Sequence, residues 1–86
     1  MSYSIEYTSR TIKEIVEAKR RDTYEKIKGI ITIIANDPFY IPPPLEKLRG
    51  DLKGYYSRRI NIKDRIVYSI DISNKVILIE SILNHY

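Results

Sequence analysis

The stretch that decides the fold is YYSRRI at residues 55–60, followed by RIVYSI at residues 65–70. Both runs have the composition of strands, and NIKD at residues 61–64 is predicted to form the turn between them. The pair therefore predicts an antiparallel hairpin. Successive side chains of a strand point to opposite faces, so Arg58 and Arg59 are expected on opposite faces. At most one of them can then join a given site directly.

Further elements are predicted on either side of this hairpin, and the sequence from Leu48 onward favours strands. A first strand is predicted at residues 3–7 and a last one at residues 76–83, and two helices are predicted from the capping-box patterns Thr11-x-x-Glu14 and Asp22-x-x-Glu25. The apolar residues at helical spacing are Ile12, Ile15 and Val16 in the first helix, and Tyr24, Ile27, Ile31 and Ile34 in the second, where Ile30 and Ile33 widen the apolar stripe. Asn36-Asp37-Pro38 is expected to end the second helix.

The predicted order β-α-α-β-β-β defines an α+β fold. Two antiparallel helices pack on one face of a mainly antiparallel, twisted sheet, and the other face is partly polar and carries arginines. The hydrophobic core is expected to include Ile27, Ile31, Ile34, Ile66, Val67 and Leu78.

A proline-rich segment, with Pro38 and then Pro42-Pro43-Pro44, follows the second helix. Each proline ring fixes φ and keeps the preceding residue out of the helical region, so this segment is expected to be extended. A linker between two domains is the alternative, but too little chain follows to form a second core. We therefore predict a stiff loop that carries Glu46 along a sheet edge, within a single domain of residues 1–86.

The composition excludes several classes of protein. The chain has no cysteine and one histidine, which excludes disulfide frameworks, cysteine nucleophiles and histidine-rich metal clusters. No segment resembles a signal peptide or a membrane span, so a cytoplasmic location is expected. The net charge is +4. Seven cations against two acids lie from Lys47 to Arg65, which is a moderate signal for a nucleic-acid partner, with a generic basic surface as an equal alternative.

The available side chains fit one reaction, the cleavage of RNA by its own 2′-hydroxyl. That reaction requires a base, an acid and cations around the phosphate, and it requires no metal or cofactor. His85 is the candidate acid, Glu46 the candidate base, and Arg65 with Arg59 or Arg58 the candidate clamp. The alternatives are a frayed C-terminal tail and a surface carboxylate paired with a nearby cation.

Three segments carry a family resemblance: EKLRGDLKGYYSRRI at residues 46–60, DRIVY at residues 64–68, and the terminal HY at residues 85–86. Together they resemble the YoeB/Txe branch of the RelE-like toxins. The similarity is dense over residues 46–68 and at the last two positions. It is looser over residues 1–45, where mainly the order strand-helix-helix agrees.

This resemblance implies a RelE-like fold and a ribosome-dependent mRNA endonuclease that cuts codons in the A site. The implied partners are a cognate antitoxin, the ribosome and mRNA, and a homodimer is a further possible assembly. The implied roles are general base for Glu46, transition-state arginine for Arg65, supporting arginine for Arg59, general acid for His85, base-orienting aromatic for Tyr86, and phosphate contacts for Lys47 and Arg49. We expect Glu46, Arg65 and His85 to converge at one patch of the sheet.

The chain departs from the family pattern near these residues. Asp64 stands where a histidine is common, Lys63 where an acidic residue is common, and residues 82–84 lack the usual basic or cysteine-containing sequence before HY. Two alternatives of other classes are a ParE-type DNA gyrase poison of the same fold, and a non-catalytic module that binds an antitoxin or RNA. A base, an arginine and an acid together argue against the gyrase poison, since that mechanism needs no acid–base pair, and the non-catalytic module stays an open alternative.

Overall fold

The computed structural model describes residues 2–41 and 44–82. Its elements are β1 (Ser4–Tyr7), α1 (Ser9–Ala18), α2 (Thr23–Asn36), β2 (Leu45–Lys47), a short 3-10 turn (Gly50–Leu52), β3 (Tyr55–Arg59), β4 (Arg65–Asp71) and β5 (Val76–Ser81). The sheet has the order β1-β5-β4-β3-β2, and every neighbouring pair is antiparallel except β1 with β5. The predicted α+β fold is confirmed.

The sheet has one strand more than predicted. Glu46 lies in the three-residue strand β2, which pairs with β3 so that Glu46 is opposite Ser57. The expected stiff loop at a sheet edge is therefore a short edge strand. Its direction is set by the antiparallel pairing with β3.

The start of α1 differs from the prediction. The helix begins at Ser9 with Thr8 as its cap, and the Thr8 hydroxyl accepts a hydrogen bond from the backbone N–H of Thr11 at 3.1 Å. Thr11 is buried inside the helix, and its hydroxyl donates to the carbonyl of Ile79 in β5 at 2.8 Å. A polar residue of α1 thus faces the sheet, which the capping-box pattern could not reveal.

The apolar face predicted for α1 is largely turned outward. Ile12 and Val16 are 54% and 52% exposed, whereas Ile15 packs against the core. The buried positions of this helix are Thr11 and Ala18. In α2, by contrast, Ile27, Ile30 and Ile34 are buried, and all three belong to the predicted apolar stripe. Asp22 precedes α2 as expected, although its side chain makes no capping hydrogen bond.

The core lies between the helices and one face of the sheet. Its buried members are Ala18, Ile27, Ile30, Ile34, Ile60, Ile66, Tyr68, Ile77, Ile79 and Ile82. Ile31 packs against this core, as expected. Val67 is fully buried, as predicted for a core residue, but it alternates with Ile66 and therefore lies on the opposite face of the sheet. Leu78 alternates with Ile77 in the same way and is only half-buried, so placing Leu78 in the core was wrong.

The turn between β3 and β4 is the predicted one. The side-chain oxygen of Asn61 accepts from the backbone N–H groups of Lys63 and Asp64, both at 2.8 Å, and the N–H of Ile60 donates to the carbonyl of Asp64 at 2.8 Å. This turn fixes the starting point of β4 and therefore the position of Arg65. Within the described ranges, neither helix is long and apolar enough to cross a membrane.

Candidate active site

Glu46 and Arg65 meet on the open face of the sheet, the face that the helices do not cover. Arg65 Nη1 donates to Glu46 Oε1 at 2.7 Å, although the residues lie 19 positions apart in the chain. The hydroxyl of Ser57 lies 3.4 Å from the same oxygen. Pairing of β2 with β3 and of β3 with β4 brings these side chains together across three strands.

This ion pair adds little to the stability of the fold. The Glu46 side chain is 64% exposed and that of Arg65 is 22% exposed. Pairs in contact with water contribute about 0–1 kcal/mol, because solvent screens the charges and both side chains lose freedom. The carboxylate and the guanidinium are therefore in contact at a place where a ligand can reach both.

The two residues line an open cavity of about 230 Å³, which we term the carboxylate pocket. Its lining consists of Pro44, Leu45, Glu46, Ser57, Arg59 and Arg65. Arg59 is exposed and pairs in register with Arg65, so both guanidiniums border the same cavity. The pocket therefore joins one carboxylate to two cations beside a hydroxyl, a set suited to an oxyanion such as phosphate.

Arg58 lies on the other face, as strand alternation predicted. Its side chain is fully buried; Nε donates to the Tyr68 hydroxyl at 2.9 Å and Nη2 donates to the carbonyl of Pro38 at 2.8 Å. The Tyr68 hydroxyl donates to the same carbonyl at 2.9 Å. Burial raises the pKa of the Tyr68 phenol, although Arg58 pulls it down, so the phenol keeps its proton and remains a donor at neutral pH.

These bonds tie the segment after α2 to β3. Arg58 is also the register partner of Leu45, the residue before Glu46. Arg58 therefore takes part both in the hydrogen bonds around Pro38 and in the pairing of β3 with β2. Together these contacts hold β2, which carries Glu46, in position. Sequence reasoning missed this network, because a charged residue in a strand is usually taken for a surface position.

Lys47 and Arg49 lie away from the carboxylate pocket. They line a second cavity of about 520 Å³ with Leu48, Gly50, Lys53, Gly54, Tyr55 and Tyr56, which we term the hairpin pocket. Lys47 follows Glu46 in β2, so the two side chains point to opposite faces. The structure thus divides the predicted substrate-binding residues, with Arg59 beside Glu46 and with Lys47 and Arg49 in a separate cavity.

His85 and Tyr86 lie outside the described residues. The expected convergence of Glu46, Arg65 and His85 is therefore met for the first two, and it stays a prediction for His85. Near the end of the described chain, the N–H of Ile82 donates to Glu14 Oε1 at 2.8 Å, which fixes the end of β5 against α1. Within residues 2–41 and 44–82, no cluster of three or more histidine, aspartate or glutamate side chains could hold a metal ion.

Comparison with known proteins identifies the family of this chain. From residue 7 to residue 86 the sequence matches the family described as YoeB-like toxin of bacterial type II toxin-antitoxin system. The chain belongs to the YoeB-like toxins. Toxin YoeB of Streptomyces coelicolor is 42% identical over 67 residues, which are 74% of this chain and 79% of that protein. Toxin YoeB of Synechocystis is 42% identical over 62 residues, or 72% and 70% of the two chains.

Solved structures agree with this family assignment. The YoeB/ParE toxin from Agrobacterium tumefaciens superposes with a TM-score of 0.89 at 29% identity, covering 96% of this chain and 99% of that one. YoeB from Staphylococcus aureus, solved as a heterotetrameric complex with YefM, gives a TM-score of 0.84 at 29% identity and covers 100% of both chains. The same S. aureus toxin has been solved as a dimer.

One departure of this YoeB-like toxin from the family pattern has a structural explanation. Asp64 is 4% exposed and accepts a hydrogen bond from the Asn61 side chain at 3.2 Å. Arg21, in the segment between the helices, lies 4.0 Å from the same carboxylate oxygen. Asp64 therefore supports the turn before Arg65 and connects it to the helical layer. Its carboxylate faces that layer and is not part of the carboxylate pocket.

Proposed function

We propose that this YoeB-like toxin is a ribosome-dependent mRNA endoribonuclease that cleaves codons in the ribosomal A site and so inhibits translation. The observation that carries the proposal is the 2.7 Å contact between Arg65 and Glu46 in an open pocket. It supplies a proton acceptor and a phosphate-binding cation side by side, with Arg59 as a second cation. Ribosome dependence and the A-site substrate follow from the family resemblance.

In the proposed reaction, Glu46 takes the proton of the RNA 2′-hydroxyl, and the 2′-oxygen attacks the adjacent phosphorus. The bond to the 5′-oxygen breaks, and that oxygen receives a proton from His85. The products are a 2′,3′-cyclic phosphate and a 5′-hydroxyl. The proton balance needs one base and one acid, which act on opposite sides of one phosphate.

Arg65 holds the phosphate as charge builds up on its oxygens. A guanidinium has five N–H donors in a planar fork, so Arg65 can keep its bond to Glu46 and still donate to a phosphate oxygen. Arg59 adds a second cation from the neighbouring strand. Tyr86 stacks on a base and orients the nucleotide, and Lys47 and Arg49 bind RNA phosphates outside the carboxylate pocket.

We propose that the protein acts as one domain of residues 1–86 in the cytoplasm, where the ribosome and mRNA are found. Its further partner is a cognate antitoxin, in line with the YoeB–YefM complex of S. aureus, and a homodimer is a second assembly in line with the dimer of that toxin. An antitoxin with acidic segments would complement the basic strands and would stabilise the folded toxin by mass action.

Mapping RNA ends tests the proposal. Purified toxin is incubated with mRNA on ribosomes and, in parallel, with the same mRNA alone. Cleavage within A-site codons that leaves 2′,3′-cyclic phosphate and 5′-hydroxyl ends is the expected result. Arrest of replication without RNA cleavage would instead support the gyrase-poison alternative. Binding of ribosomes with no new RNA ends would support the non-catalytic module.

A further inference from the structure

The hairpin pocket has the chemistry of a nucleotide-binding site. Three exposed cations, Lys47, Arg49 and Lys53, line it, and none of the lining residues among those that the structure describes is acidic. Its volume of about 520 Å³ is more than twice the 230 Å³ of the carboxylate pocket. It falls in the range of about 300–1,000 Å³ that small-molecule sites occupy.

Aromatic rings border these cations. Tyr55 and Tyr56 line the cavity, and the Phe39 ring stands edge-on to the Tyr56 ring with centroids 5.8 Å apart. Phe39 is 42% exposed, so part of the ring cluster that includes Tyr56 faces solvent. Tyr56 itself stacks on the buried Tyr68, which holds its ring in place. Cations beside fixed aromatic rings are the combination that single-stranded nucleic acids bind.

The two pockets have no lining residue in common. Glu46 and Ser57 face the open side of the sheet, whereas Lys47 is paired with Tyr56, whose ring packs on the core side. Glu46 and Lys47, which are neighbours in β2, therefore belong to different pockets. Because β2 is the edge strand, an RNA strand can pass around that edge and contact both sides.

We propose that the hairpin pocket is a second RNA subsite, which binds a nucleotide other than the one being cleaved. Its phosphate contacts Lys47, Arg49 and Lys53, and its base packs against Phe39 and Tyr56. The proposal rests on the proposed function for the choice of RNA as ligand. RNA is favoured over an acidic peptide because carboxylates would use the cations alone and leave the aromatic surface without a function.

The test measures binding, not cleavage. A single-stranded RNA of about ten nucleotides, within the site size of such proteins, carries 2′-O-methyl groups that block attack by the 2′-oxygen. Its affinity is measured by fluorescence anisotropy across a salt series. The test variant is Lys47→Gln/Lys53→Gln, and the matched control is Lys13→Gln/Lys26→Gln, which removes the same charge from exposed helical positions. Thermal melts confirm that both variants are folded.

We expect the test variant to bind at least tenfold more weakly at low salt. Its salt slope should fall by about 1.4, or about 0.7 for each phosphate that the protein no longer neutralises. The control should change the slope by much less. Phe39→Leu, which removes the ring but keeps an apolar side chain, should weaken binding by about tenfold. Equal reductions in affinity for the test and control variants would overturn the subsite.

Combination with Arg65→Gln shows whether the pockets act on separate nucleotides. If they do, the reductions in binding free energy add, as they do for independent positions. If Lys47 and Lys53 bind the cleaved phosphate, the reductions do not add and the inference is wrong.

The inference is also wrong if the lysine variant keeps its RNA affinity but no longer binds the antitoxin, because the pocket then belongs to that partner. Normal RNA binding at this pocket without any cleavage would refute the proposed function but not the subsite.

Discussion

Arg58 and Arg59 are neighbours in β3, yet they lie in opposite environments. On the helix-covered face, Arg58 is fully buried and bonded to Tyr68 and to the carbonyl of Pro38. On the open face, Arg59 is exposed, and the bond from its Nη1 to the carbonyl of Ile62 is 3.3 Å long. The same guanidinium group is part of the packed interior on one face and is accessible to ligands on the other.

This difference separates residues that maintain the fold from residues that are available for chemistry. Buried polar groups are costly to remove, because their partners are left without a hydrogen bond. Exposed ion pairs such as that of Glu46 with Arg65 are inexpensive to remove. Substitutions on the two faces should therefore change different measured quantities.

The largest effect is expected from Arg58→Ala. The substitution leaves a cavity and removes donors from both Tyr68 and Pro38, so the free energy of unfolding should fall by about 3 kcal/mol or more. Chemical denaturation measures this decrease. The matched variant Arg59→Ala should change it by about 0.5 kcal/mol. Similar decreases in the two variants would contradict the division between the two faces.

Glu46→Gln tests the open face. We expect the rate of RNA cleavage to fall by roughly a hundredfold or more, because an amide cannot take the 2′-hydroxyl proton. The free energy of unfolding should change by less than about 1 kcal/mol. Glu25→Gln, an exposed carboxylate of α2, is the control for cleavage and stability. His85→Gln should lower the rate on the same scale, and a full rate in either site variant would refute its assigned role.

A smaller effect is expected when one hydroxyl is removed from the buried network. Tyr68→Phe deletes the group that accepts from Arg58 Nε and donates to Pro38, so we expect destabilisation of about 1–3 kcal/mol. Tyr40→Phe removes a phenol hydroxyl from a residue that is 52% exposed and should have almost no effect. Equal melting temperatures for these two variants would show that the network does not contribute to stability.

The smallest effect concerns the turn after β4, which belongs to neither face. Hydrogen bonds from the Asn74 side chain and backbone lower the pKa of Asp71 below its ordinary value of 3.8. Because the pKa is lowered in the folded state, the ionised Asp71 carboxylate stabilises the fold at pH values above 3.8. This stabilisation is lost as the pH falls through the folded-state pKa. The melting-temperature difference between wild type and Asp71→Ala should therefore shrink as the pH is lowered from about 7 to about 3. A difference that grows toward acidic pH would contradict this account.

Local patterns were sufficient for much of the fold. The hairpin of β3 and β4 followed from composition and from the turn at residues 61–64, and alternation correctly placed Arg58 and Arg59 on opposite faces. The proximity of Glu46 and Arg65 was expected because base, acid and cation must surround one phosphate in the predicted reaction. Ser57 was missed, although alternation with Arg59 places it on the same face.

What remained unpredicted depends on contacts between residues far apart in the chain. The face of α1 that meets the sheet is defined by the bond from Thr11 to Ile79, and helical spacing favoured Ile12 and Val16 instead. The partner of Arg58 is a backbone carbonyl 20 residues away, which no side-chain pattern encodes. The role of His85 stays a prediction, because it lies outside the described residues.

The brevity of β2 also bears on self-association of the toxin. An edge strand exposes unpaired backbone groups that invite another chain to add to the sheet and form aggregates. Here the edge is only three residues long, follows Pro44, and carries charges of both signs at Glu46 and Lys47. Short length, proline and charge are the features that protect sheet edges from such growth. The residue proposed to remove the 2′-proton thus also helps to protect this sheet edge from the addition of another strand.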